Sequence, residues 1–240
     1  MLQLPKLIGH RGAAAYAPEN TLASFKKARE LGCRFIEFDV MLSADGVPFI
    51  FHDETLKRTT KTKGNFGLAT AESLQSLDAG RWFSKHYLGE KIPTLTDTLT
   101  WLVDADMQAN LEIKPYPGFS EQTTIAVLTQ LNRYWPQDRP LPLVSSFDLQ
   151  ALRLCRSLAP EMPLGLLLDK WHDNWQDLAQ ELHCFSVHYN RRSLTKARVH
   201  DIKKHDYKLC VYTVNRKRQA AKLFDWGVDA IFSDYPDLLS

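Results

Sequence analysis

Arg34-Phe35-Ile36-Glu37-Phe38-Asp39-Val40-Met41 is an apolar and aromatic run broken by two carboxylates set two residues apart. It reads as a strand, and on a strand residues i and i+2 share a face. Glu37 and Asp39 then look one way, and Phe38 and Val40 the other. From this stretch alone two readings stay open. The carboxylates line the wet face of a half-exposed strand, or they are buried side by side. Burial is costly for two like charges unless something positive sits between them, and a hard cation with oxygen ligands would supply that.

Upstream, Leu7-Ile8-Gly9-His10 reads as a short buried strand ending at His10-Arg11-Gly12. Leu22–Leu31 places Leu22, Phe25, Ala28 and Leu31 at helical spacing, with Asn20 or Thr21 as N-cap and Gly32 in the C′ position. Downstream, Ala44-Asp45-Gly46 is a tight turn and Val47–Asp53 returns as another strand. From Glu54 to about Pro93 the period lapses. Thr59–Asn65 is polar, Ala71–Leu77 reads as a short helix, and Gly80–Gly89 carries Trp82, Phe83, Tyr87 and Leu88 without clear periodicity. This stretch, about 54–93, reads as an insertion with little regular structure over one mouth of the domain.

After Pro93 the pattern is regular. Helices are predicted over Leu95–Val103, Ser120–Tyr134, Asp148–Leu158, Asn174–Leu182, Thr195–His205 and Arg216–Trp226. Strands are predicted over Met107–Ile113, Leu141–Ser145, Met162–Leu168, Cys184–Val187, Lys208–Val214 and Ala230–Phe232. Such alternation means parallel βαβ units. About eight units over 240 residues fit a single-domain α/β fold, a (β/α)8 TIM barrel spanning 1–240, better than an open doubly wound sheet. No Gly-x-Gly-x-x-Gly or Walker-type loop supports a nucleotide-binding sheet.

Bulk properties exclude several classes. A net charge of +2 gives no electrostatic case for nucleic acid or an anionic membrane surface. Cys33, Cys155, Cys184 and Cys210 are scattered, which argues against a zinc site or a disulfide framework and suits a reducing compartment. Met1–Ile8 is too short an apolar run for a signal peptide, and no run reaches the roughly 18 apolar residues of a membrane span. A cytoplasmic soluble protein is expected.

In a barrel of this kind, function sits where strands end, and the polar residues collect there. His10 and Arg11 end the first strand, Glu37 and Asp39 lie late in the second, His52 and Asp53 end the hairpin return, and Leu111-Glu112-Ile113-Lys114 ends the next. Glu37, Asp39 and Glu112 supply carboxylate oxygens suited to Mg2+ or Ca2+ and poorly suited to zinc. His10 and His52 titrate near neutrality, so one can act as base and the other as acid. Arg11 presents a planar fork that matches a phosphate, and Lys114 can neutralise a carboxylate or a phosphate oxygen. Together these describe phosphoryl-transfer chemistry, in which charge stabilisation dominates. His86, His172, His183, His188, His200 and His205 read as surface or packing residues, and Lys57-Arg58, Lys61, Lys63 and Arg191-Arg192 as solvated charges.

His10-Arg11-Gly12, Ala17-Pro18-Glu19-Asn20-Thr21, Glu37-Phe38-Asp39, His52-Asp53 and Leu111-Glu112-Ile113-Lys114 resemble the glycerophosphodiester phosphodiesterases. Ser145-Ser146-Phe147, Val211-Tyr212-Thr213-Val214-Asn215 and Trp226-Gly227-Val228-Asp229 extend the resemblance over essentially the whole chain. It implies a TIM barrel with a small insertion. It also implies metal-dependent hydrolysis of a glycerophosphodiester (glycerophosphocholine, glycerophosphoethanolamine or glycerophosphoglycerol) to sn-glycerol 3-phosphate and an alcohol. The metal positions carry over to Glu37, Asp39 and Glu112, the acid/base positions to His10 and His52, and the phosphate contacts to Arg11 and Lys114. In the mechanism implied, the glycerol hydroxyl attacks phosphorus and gives a cyclic phosphate that water opens. Tyr212 stands where many members have tryptophan; it and Phe147 are candidate aromatic walls for the substrate. Two competing readings are a lyase that stops at the cyclic phosphate and a barrel that binds without turnover.

Overall fold

The computed structural model describes residues 2–240, so Met1, the first residue of the span read as one domain, lies outside the described residues. β1 (Leu7–Gly9) is followed by α1 (Leu22–Glu30) and then by β2 (Phe35–Leu42), the stretch from which the sequence was read. All eight residues of β2 are buried, and the alternation along it is spatial. Phe35 packs with Ile8, Leu143, Cys210, Ala230 and Phe232 inside the barrel. Ile36, Phe38 and Val40 belong instead to the large cluster that also holds residues of the surrounding helices. Glu37 and Asp39 share the inner face with Phe35.

β3 (Pro48–Ile50) runs antiparallel to the last residues of β2, and β4 (Gln108–Ile113) runs parallel to it on the sequence's next crossover. β5 (Leu143–Ser146), β6 (Leu164–Leu168), β7 (Ser186–Asn190), β8 (Lys208–Tyr212) and β9 (Ala230–Ser233) continue the parallel order. β9 pairs with β1, and β1 with β2, which closes an eight-stranded parallel barrel with β3 as the extra strand. The helices α4 (Leu95–Asp104), α5 (Ser120–Tyr134), α6 (Leu149–Leu158), α7 (Trp175–Glu181), α8 (Lys196–Lys203) and α9 (Lys217–Trp226) fill the crossovers, after α2 (Lys57–Thr60) and α3 (Ala71–Ser76). Among the described residues no helix is long and apolar enough to cross a membrane.

The helix starts follow local chemistry. The Thr21 hydroxyl accepts the Ser24 N–H at 3.2 Å, and Gly32 follows α1 with φ +84°, a conformation that side chains disfavour. Thr94 and Asp97 form a reciprocal capping box on α4. The Asp148 carboxylate accepts the Ala151 N–H at 2.9 Å and starts α6.

Two expectations are corrected. The segment 54–93 carries more structure than its sequence suggests. It contains α2, α3 and two short 3-10 turns, folded on a small core of Met41, Phe49, Phe51, Leu56, Phe66, Leu74, Ala79 and Ile92. Phe51 and Phe66 stack there with ring centroids 4.7 Å apart. α3 is the short helix expected over Ala71–Leu77, whereas α2 and the 3-10 turns are too short to show a period, and aromatic stacking has none. The seventh strand also sits two residues later than predicted, at Ser186–Asn190 instead of Cys184–Val187. Ser186 and His188 point inward and are fully buried. A polar inner face hid the strand's continuation, so His188 is a barrel-interior residue and not part of the surface.

Candidate active site

The β2–β4 register sets Asp39 beside Glu112 and Glu37 beside Asn110. Because Glu37 and Asp39 already share a face of β2, three carboxylates from two neighbouring strands meet inside the barrel. One oxygen from each lies within 4.8 Å of the other two, close enough to hold a metal ion together. Around them a cavity of about 180 Å³ opens at the C-terminal ends of the strands. Of the side chains singled out from the sequence, His10, Arg11, Glu37, Asp39, His52, Glu112, Lys114, Phe147 and Tyr212 line it, and Asp53 does not. Asn110, Leu167, His188, Thr213 and Phe232 complete the wall.

The electrostatics of the three acids differ. Asp39 faces Arg11 Nε at 3.4 Å and Lys114 Nζ at 3.9 Å, and accepts the Asn20 amide at 2.8 Å. Burial pushes its carboxyl up, but Arg11, His52 and Lys114 outweigh burial and hold it below its ordinary range. Glu112 has no comparable compensation. Burial, then the Asp39 charge, push it up to about 8. One of its oxygens is buried with no hydrogen-bond partner. Burial, Asp39 and Glu112 likewise push Glu37 well above the usual carboxylate range, although its Oε2 accepts the Arg11 N–H at 3.0 Å. An orphaned buried carboxylate oxygen beside two others is a site short of positive charge. Oxygen-only donors fit a hard divalent cation.

Each histidine is held from behind by an acid. His10 Nδ1 lies 2.6 Å from Asp234 Oδ1, which leaves Nε2 as its free ring nitrogen. Asp234 is clamped in turn, accepting from Asn215 Nδ2 at 2.5 Å while its own N–H donates to Asn215 Oδ1 at 3.0 Å. Burial, then Arg11, lower the His10 pKa, which favours the neutral ring. His52 Nδ1 lies 2.6 Å from Asp53 Oδ1, and Arg58 Nε donates to Asp53 Oδ2 at 2.6 Å. Against burial, those two contacts depress the Asp53 pKa. Arg58 also donates to both oxygens of Glu19 at 2.6 and 2.7 Å, and Glu19 accepts from Arg11 at 2.6 Å. Arg58, expected to be solvated, is therefore the tie between the 54–93 segment and the cavity mouth. Its acidic partners lie 5 and 39 residues away in the chain, a separation that periodicity does not report.

Sequence reasoning assigned no role at the site to Asp234, Asn215, Glu19, Asn20, Asn110 or His188. The strand-end rule that found His10 would have found Asp234, which directly follows β9. One prediction follows from its position. Asp234→Asn keeps the shape of the side chain but turns one of its two acceptor oxygens into an amide donor, so it can no longer accept from both Asn215 and the His10 ring N–H, and turnover should fall about 100-fold with little change in melting temperature. Steady-state rates beside a thermal melt check this, and a rate within threefold of the parent would refute it.

Comparison with known proteins places these residues in context. A profile described as the glycerophosphoryl diester phosphodiesterase family matches residues 10–238. A glycerophosphodiester phosphodiesterase of Caldanaerobacter subterraneus subsp. tengcongensis is 36% identical over 242 residues, covering 97% of this chain and 95% of that protein. A glycerophosphodiester phosphodiesterase of Bacillus subtilis is 32% identical and covers 96% of this chain and 84% of its own length. Among solved structures, an Oleispira antarctica phosphodiesterase in complex with the product sn-glycerol-3-phosphate superposes with a TM-score of 0.94 at 41% identity, covering 98% of this chain and 94% of that one.

Proposed function

This chain belongs to the glycerophosphoryl diester phosphodiesterase family, and from that premise we propose that its cavity carries out metal-dependent hydrolysis of glycerophosphodiesters, such as glycerophosphocholine, glycerophosphoethanolamine and glycerophosphoglycerol. The products are sn-glycerol 3-phosphate and the free alcohol. The observation that carries the reading is the single cavity in which three buried carboxylates, two acid-backed histidines and two basic side chains meet. Each of these groups answers one need of phosphodiester cleavage.

Glu37, Asp39 and Glu112 would hold one divalent cation, Mg2+ or Ca2+, which supplies charge neutralisation at the phosphate oxygens. Arg11 and Lys114 are the two basic chains at that point. Arg11 is kept fully charged against burial by Asp39, Glu19 and Glu37, so it offers a fixed fork to a phosphate. One histidine accepts the proton of the attacking glycerol hydroxyl through its free ring nitrogen. The other delivers a proton to the departing alcohol oxygen, so that no alkoxide leaves unprotonated. The product of that step is a cyclic glycerol phosphate. Water opens it with the proton transfers reversed, and glycerol 3-phosphate results. Phe147 and Tyr212 wall the cavity opposite the acids and keep the substrate's arms in place.

Phosphorus NMR of glycerophosphocholine with the protein and Mg2+ or Ca2+ is the direct test. One glycerol 3-phosphate should form per diester consumed, and EDTA should stop the reaction. Accumulating cyclic phosphate would favour a lyase instead, and binding without any product would favour a non-catalytic barrel.

A further inference from the structure

The cavity is divided by charge. All of its permanent charges, together with both acid-backed histidines, come from the arc formed by β1 to β4 and their loops. The opposite arc, β5 to β8, contributes Phe147, Leu167, His188 and Tyr212. Burial pushes His188 down to about 3, so it is neutral in the folded chain at physiological pH. Phe147 and Tyr212 meet edge to face with centroids 6.1 Å apart. Phe147 is 46% exposed despite its size, so its ring is available to a ligand.

One acid stands on this neutral arc. Leu167 lines the cavity, and Asp169 directly follows β6, two residues further along the chain. The Tyr212 hydroxyl donates to the Leu168 carbonyl at 2.9 Å, which seats the ring against the backbone that carries Asp169. Burial, then the Asp169 charge, raise the Tyr212 pKa. Asp169 is exposed, and its side chain accepts from the neutral Asn190 amide at 2.7 Å. Arg191, the next residue along, turns its Nε to the Thr213 carbonyl at 2.6 Å.

We infer that Phe147, Tyr212 and Asp169 form a subsite for a cationic leaving group, the ammonium end of an amino-alcohol ester. The inference rests on the hydrolase reading above and names the class of alcohol that the site favours. The physical ground is the pairing of aromatic faces with an acid that, among the described residues, no cation neutralises. An ammonium gains from both the ring quadrupole and the carboxylate. A glycerol hydroxyl gains nothing from a ring face and is better served on the polar arc. The diester therefore lies across the cavity with its glycerol arm toward β1 to β4 and its second arm toward β5 to β8.

The test compares glycerophosphocholine with glycerophosphoglycerol, which has the same diester and a neutral second arm. Asp169→Asn retains the oxygen that accepts from Asn190 and removes only the charge. The ratio of kcat/KM for the choline ester to that for the glycerol ester should fall about fivefold in this variant and in Phe147→Leu, and Asp169→Glu should restore it. An unchanged ratio in Asp169→Asn overturns the subsite. Calorimetric binding of the two esters to the same variants reads the same ratio without catalysis. Should the parent turn over neither ester, the hydrolase reading falls, while the binding ratio still decides the subsite.

Discussion

His10→Gln and His52→Gln will each lower glycerol 3-phosphate release from glycerophosphocholine by about a thousandfold, with melting temperatures close to that of the parent. The size follows from what the two rings can do. Each has one nitrogen committed to an acid at 2.6 Å, Asp234 for His10 and Asp53 for His52. That leaves one nitrogen apiece for proton transfer at the substrate. Glutamine can still donate to the acid but cannot exchange a proton near neutral pH, so structure and chemistry separate. The double variant should be little worse than either single one, because the two transfers belong to one step. Single-turnover rates with the diester, read beside thermal melts, check both statements. A loss below tenfold in either variant would remove that histidine from the chemistry.

The second large effect concerns the carboxylate cage. Glu112→Gln, or chelation of the parent, should reduce turnover by about a thousandfold or more, but the accompanying stability change is the more diagnostic. In the cation-free chain, burial and neighbouring charge push Glu112 from 4.5 up to about 8 and raise Glu37 well above its ordinary range. A carboxyl raised in the folded state holds a proton there that the unfolded chain has already released. The folded state thus binds more protons, and stability falls as pH rises through that interval. Below the ordinary glutamate range both states are protonated and the penalty vanishes. The melting temperature of the cation-free protein should therefore drop between about pH 5 and pH 8. Saturating Mg2+ or Ca2+ should flatten the slope, and so should Glu112→Gln, while the variant loses most of the cation's stabilisation. A cation-free melting temperature that rises over the same interval would contradict the cage.

How far the chain could be read without coordinates depended on the range of each signal. Glu37 and Asp39 were legible because a strand's period is two and the residues between them are apolar. Glu112 and Lys114 repeat the pattern on β4, and the barrel followed from counting alternations. His10 and His52 were legible as strand-end residues, even though His52 stands on the antiparallel return and not on a barrel strand. What the sequence hid is contact between residues far apart. Asp234 lies 224 residues from the His10 it orients. Arg58 looked like one more surface cation until Asp53 and Glu19 were found beside it. His188 stayed undecided between surface and packing because an inward polar residue breaks the apolar pattern by which strands are recognised. The core of the 54–93 segment was missed because its apolar residues are spread thinly among loops and turns.

The pairing of β9 with β1 also has a consequence in time. A ribosome delivers His10, Arg11, Glu37, Asp39, His52 and Glu112 more than a hundred residues ahead of Asp234. Asp234 and the strand before it come after all of these, and β9 occupies the gap between β1 and β8. Until then the first strand has one neighbour in place of two, and His10 lacks its acid. A nascent chain can hold nearly every reactive group and still be inert, so competence is acquired in one late event with the closing of the ring.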